Sequence, residues 1–144
     1  MTAAEGAACP VPNLLEAGRP VDIASVPLAH QPVSAEQDGG GAPTTGVQPL
    51  GRLADAEVGV WELSAGTMHD VEAEEVFVVT AGRGSLIIEP FAELPEQRAE
   101  LFPGAVVRLS EGMRTTWIVA ETLRKFYVVP RSSQSDTQNS GAPE

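Results

Sequence analysis

The chain has 144 residues, and its nine basic against twenty acidic side chains give a formal net charge of -11. That length suffices for one domain with a buried core, while the charge argues against nucleic acid and anionic membrane as partners, since no Lys/Arg cluster offsets the repulsion. A single cysteine, Cys9, excludes an intrachain disulfide and a CxxC zinc site.

Residues 1–44 form an irregular arm rich in Pro, Gly and Ala. Its first stretch, MTAAEGAACPVPNLLEAG, has neither the basic n-region nor the continuous apolar core of a signal peptide. No apolar run approaches the ~18 residues of a spanning helix. A cytoplasmic protein is therefore expected. Two short fragments, RPVDIASVPL and GVQPLGRL, could add edge strands, where proline is tolerated.

Residues 45–130 carry the strong β signal. EVGVWELS (Glu57–Ser64), EVFVVT (Glu75–Thr80) and SLIIE (Ser85–Glu89) come first. AVVRL (Ala105–Leu109), TTWIVA (Thr115–Ala120) and RKFYVV (Arg124–Val129) follow. Glycine- or proline-bearing turns divide them, which describes an all-β sandwich or barrel. AELPEQRAEL (Ala92–Leu101) is interrupted by Pro95 and reads as a hairpin loop with a ragged strand. The glycines of AGRGS precede no helix, so they read as a hairpin turn and not a phosphate loop. The tail Arg131–Glu144 has no large apolar residue and is expected to be disordered.

This pattern resembles the cupin superfamily, a small all-β barrel of jelly-roll type. Glu75 and Gly82 fit the end of the first cupin motif, and Pro103, Gly104 and Gly112 fit the frame of the second. Within the superfamily the chain is similar to the ureidoglycine aminohydrolase subgroup. The similarity is carried by VGVWELSAG (Val58–Gly66), PGAVVRLSEGMRTTWIV (Pro103–Val119) and ETLRKFYVV (Glu121–Val129). The resemblance implies a single barrel and a homodimer. It also implies metal-ligand positions at His69, Val71, Glu75 and Thr115. Valine cannot ligate and a neutral hydroxyl ligates poorly, so the site is depleted. No cofactor is expected. A divalent metal, disfavoured here, would have only His69 and Glu75.

Strand alternation would turn residues 69, 71 and 75 into the barrel. The candidate ligand pocket is then His69, Glu75, Thr115, Trp117 and Lys125. A carboxylate beside an imidazole can bind or protonate a small ligand, although structural pairs look the same. Asp70, Glu72 and Glu74 have the opposite parity and are expected on a solvated face. Only one of Arg124 and Lys125 can point inward, where it would anchor a carboxylate or amide ligand near Glu75. Trp61 and Trp117 read first as core, and His30 as a surface or interface residue. There is no HExxH and no nucleophile elbow. Three functions stay open: a metal-independent binder or weak catalyst for a small polar metabolite, a metal-dependent ureide-processing enzyme, or a structural or regulatory cupin.

Overall fold

The computed structural model describes residues 13–130. Nine strands run in chain order: β1 (Gln31–Pro32), β2 (Asp38–Gly40), β3 (Thr44–Leu53), β4 (Ala56–Leu63), β5 (Gly66–Val71), β6 (Glu75–Ile88), β7 (Gln97–Leu101), β8 (Val106–Leu109) and β9 (Arg114–Val129). All pairings are antiparallel, and the sheet curls into a barrel. Among the described residues there is no helix.

Two long strands organise the barrel. The first half of β9 lies between β5 and the end of β6, with Trp117 opposite Met68 on one side and Leu86 on the other. Its second half lies between β4 and the start of β6, with Lys125 opposite Trp61 and Val79. Strands β6 and β9 thus pass from one face of the barrel to the other. The register of β6 on β9 shifts three times between Val79 and Gly84, which is where both strands bend.

This corrects the expected hairpin at AGRGS. Gly82 and Gly84 sit inside one continuous strand. Gly82 has φ +95°, and a Cβ there would run into the Thr122 carbonyl oxygen of β9. Glycine is required because the two bending backbones approach too closely for a side chain. TTWIVA and RKFYVV, read from the sequence as two strands, are likewise parts of the one continuous strand β9.

Alternation along β4, β6 and β9 separates two cores. Trp61, Leu63, Phe77, Val79, Leu86, Trp117, Leu123 and Tyr127 fill the barrel interior. Leu50, Val58 and Val60 form a second core on the outer face, covered by Val21, Ile23, Val26 and Leu28. The fragment Arg19–Leu28 is therefore a strap and not the edge strand that its composition allowed. GVQPLGRL, in contrast, lies in β3.

Charged groups pin the strap. Arg124 Nη1 donates to the carbonyls of Ile23 (2.6 Å) and Val26 (3.0 Å), and its Nε donates to Glu62 Oε2 at 2.9 Å. His30 Nε2 lies 2.7 Å from the other oxygen of Glu62, and His30 Nδ1 lies 2.8 Å from Thr44 Oγ1. Burial raises the Glu62 pKa, but hydrogen bonds from His30 and Arg124 outweigh it and hold the carboxyl below its ordinary value. His30 is thus a latch residue of the strap. The C-terminal tail lies outside the described residues.

Candidate functional site

The interior polar cluster begins with β9. Lys125 is the only lysine in the sequence, and alternation turns it inward while Arg124 faces the strap. Its side chain is 2% exposed, and Nζ lies 2.8 Å from Glu75 Oε2, whose side chain is 1% exposed. Three aromatic rings surround the ammonium, with centroids 4.2 Å (Phe77), 4.3 Å (Trp61) and 4.7 Å (Trp117) from Nζ. Each ring face contributes on the order of 0.5–2 kcal/mol to a desolvated cation. The rings also pack on one another, Trp117 lying 5.3 Å from Trp61 and 5.6 Å from Phe77 between centroids.

The Lys125–Glu75 contact is an ion pair without hydrogen-bond geometry. Glu75 Oε2 therefore has an ionic partner, yet no hydrogen-bond partner among the described residues.

Glu72 is the second carboxyl of the interior. Its Oε2 accepts from Thr115 Oγ1 at 2.6 Å and from Trp117 Nε1 at 3.0 Å. Burial, the largest cause, raises its pKa above the ordinary 4.5, and the neighbouring charges of Asp70 and Glu75 add to that; Lys125 opposes. Both donors converge on one oxygen of Glu72, and the cluster sets this carboxyl, whose pKa burial raises, beside the Lys125–Glu75 ion pair.

The structure brings together Glu75, Thr115, Trp117 and Lys125 from the sequence-derived pocket, and leaves His69 outside. His69 is exposed, with Nδ1 3.0 Å from Thr116 Oγ1, and its ring lies against Gly39. Val71 is 52% exposed. The inward orientation expected for His69 and Val71 is therefore incorrect, as is the solvated face expected for Glu72.

The physical reason is a change of parity. Strand β5 stops at Val71 and β6 starts at Glu75, and the chain bends between them. Inward positions run Met68 and Glu72 on one side of that bend, then Glu75, Phe77 and Val79 on the other. The step from Glu72 to Glu75 is three residues, so alternation carried across the bend selects the wrong face. Anchoring the face on Met68, a large apolar residue, would have found Glu72. Glu74 does face outward, accepting from Arg108 Nη2 and from the Glu111 amide at 3.0 Å.

The metal positions implied by the resemblance do not converge. Two of the four point out of the barrel, Thr115 is committed to Glu72, and the ammonium of Lys125 already faces Glu75. A divalent cation at Glu75 would have to lie beside a fixed positive charge. Among the described residues, no three His, Cys, Asp or Glu side chains gather as a metal site requires.

Two outcomes follow. Lys125→Met leaves Glu75 buried without a counter-charge and should lower stability by about 3–5 kcal/mol, whereas Lys125→Met with Glu75→Leu should recover most of that loss. Urea denaturation of the three proteins measures the coupling; additive losses would contradict a pair. The second concerns Glu72, whose folded-state pKa is raised. Its contribution to stability is full below 4.5 and is lost as pH rises through the folded value. Wild type should therefore lose stability relative to Glu72→Gln between pH 4 and pH 7, and a difference that is flat or grows would contradict the assignment.

A family model described as a EutQ-like cupin domain matches residues 50–127. The fold is similar to that of the EutQ protein of Clostridium difficile, with a TM-score of 0.52 at 16% identity over 71% of this chain and 82% of that one. It is also similar to the conserved SPY1581 protein of unknown function from Streptococcus pyogenes, with a TM-score of 0.54 at 13% identity over 86% and 96% of the two chains. A third likeness is to Fe(II)-HppE with an alternative substrate, (S)-1-HPP, with a TM-score of 0.53 at 15% identity over 84% and 65%. Identities this low establish likeness of fold alone. No curated protein matches the chain.

Proposed function

The chain belongs to the EutQ-like cupin domain family, and we propose that its barrel is a metal-independent site for a small polar metabolite. The observation that carries this reading is the interior cluster of Glu72, Glu75, Thr115 and Lys125, four polar side chains buried in one aromatic-lined barrel. A purely structural core would avoid such groups, because burying charge lowers stability more often than it raises it. A ligand that donates through an amide, hydroxyl or ammonium group would pair with Glu75, whose partner in the free barrel is the Lys125 ammonium at 2.8 Å. Glu72, whose pKa burial raises, is the interior carboxyl best suited to exchange a proton with a ligand.

The metal-dependent ureide reading has less support, because its donor set is split between the interior and the outer surface. In this reading Lys125 supplies, from within the chain, the positive charge that a cation would bring to Glu75. His69, exposed on the outer face, has no part in the pocket.

A thermal-shift screen of purified protein against small amides, carboxylic acids, amines and polyols tests the proposal, beside elemental analysis. A ligand at a hundredfold excess over its Kd stabilises by about 2.7 kcal/mol, a shift of several degrees for a chain of this size. The shift should vanish in Glu75→Gln and persist in His69→Ala. Stoichiometric bound metal, or a shift that survives Glu75→Gln and Glu72→Gln alike, would contradict the proposal.

A further inference from the structure

Glu72 is buried at the end of the barrel where three connections meet. Its amide donates to the Met113 carbonyl and its carbonyl accepts from the Gly112 amide, both at 2.8 Å. These bonds join the β5–β6 bend to the β8–β9 turn. The third connection, residues 89–96 between β6 and β7, is tied in beside them, since the Glu89 amide donates to the Arg114 carbonyl at 2.9 Å. Thr115, which donates to Glu72, stands opposite Ile88 at the end of β6.

One side chain of that loop turns toward the interior. Phe91 is half-buried against the interior core, whereas the rest of residues 89–98 is exposed. Its ring lies over the β8–β9 turn, with Cε1 3.6 Å from where a Gly112 Cβ would stand. The backbone behind the ring is strained. Phe91 and Leu94 exchange hydrogen bonds of 3.0 and 2.8 Å around two residues, and the first of these, Ala92, is held at φ +54°. An alanine persists in the left-handed region only where its surroundings fix it. Phe91 is the side chain that anchors this turn to the body, for Leu94 is 50% exposed.

We infer that Phe91 is the stopper of the interior site, and that the loop of residues 89–96 lifts it to let a ligand reach Glu72. This rests on the reading of the interior as a metabolite site. A loop anchored by one ring, with a strained residue at its tip, belongs to the low-stability end of a fold, from which access motions are drawn. Charge at the entrance narrows the ligand class. The loop carries Glu89, Glu93 and Glu96 and no basic residue, and Glu111 is exposed on the adjoining turn. Arg114, exposed at the start of β9, offsets one of them. An acidic rim on a chain of net charge -11 repels anions. Neutral amides, polyols and organic ammonium ions are therefore admitted in preference to carboxylates.

Tryptophan fluorescence tests the gate without a ligand, because Trp61 and Trp117 are the two tryptophans of the chain and both are buried inside. In Phe91→Ala, quenching by acrylamide, a neutral amide, should rise at least about threefold over wild type, and acetylation of Lys125 should quicken roughly tenfold. Iodide, an anion, should gain much less than acrylamide. Val119→Ala, at the β6–β9 bend away from this end, also trims the interior core and should leave quenching near the wild-type level. Ala92→Asn suits the left-handed backbone. It should slow hydrogen exchange at the Leu94 amide and keep quenching at or below that of wild type. An increase shared equally by Phe91→Ala and Val119→Ala, or none in Phe91→Ala, would overturn the gate, and an equal gain for iodide would overturn its selectivity. These readouts need no bound metabolite, so a failed gate leaves the thermal-shift comparison with Glu75→Gln to decide the metabolite reading on its own.

Discussion

An ammonium group cannot be taken out of water inside a β-barrel unless something else offsets several kcal/mol of lost hydration. The interior around Lys125 is arranged for that purpose. Glu75 supplies the counter-charge at 2.8 Å, and Phe77, Trp61 and Trp117 present their faces within 4.7 Å. These residues come from β4, β6 and β9, so the ion pair holds together the strands that define the barrel. Breaking one partner would leave a charge stranded in the centre of the core, which gives the pair more say over the structure than its net energy implies.

The same strands carry a second polar arrangement on their other face. Cross-strand neighbours Trp61–Lys125 and Glu62–Arg124 are adjacent in register and point in opposite directions. Inside, lysine meets aromatic rings; outside, arginine meets a carboxylate and two strap carbonyls. The chemistry suits each place. Guanidinium can satisfy several acceptors at a partly wet surface, while a compact ammonium fits a ring-lined cage. One short stretch of β9 thereby fixes both the interior site and the strap that covers the outer core.

Much of the fold was legible in the sequence because alternation and turn residues report directly on strands. Trp61 and Trp117 mark the interior by size, and RKFYVV places Lys125 and Arg124 on opposite faces by simple parity. What alternation could not convey was the bend between Val71 and Glu75, which resets the inward face by one residue. That single step moved His69 and Val71 outside and Glu72 inside. The glycines of AGRGS misled for a related reason. A positive-φ glycine can mark a turn or a close crossing of two strands, and only the tertiary approach of Thr122 tells them apart. The strap was opaque too, since Arg19–Leu28 gains its structure from the sheet it lies on and not from its own propensity.

Because the sequence contains a single lysine, the central claim can be tested with an amine-directed reagent and peptide mass spectrometry. In the native full chain, acetylation by an activated ester should modify the α-amine and leave Lys125 untouched, while the same reagent in denaturant should modify both. A buried ammonium held by Glu75 and three rings predicts at least about a 1,000-fold slower reaction at Lys125 than at the α-amine, set by the opening of the barrel. If Lys125 reacts in the folded protein as fast as the α-amine, the ammonium is not enclosed. The account of a barrel organised around its own internal cation would then be wrong.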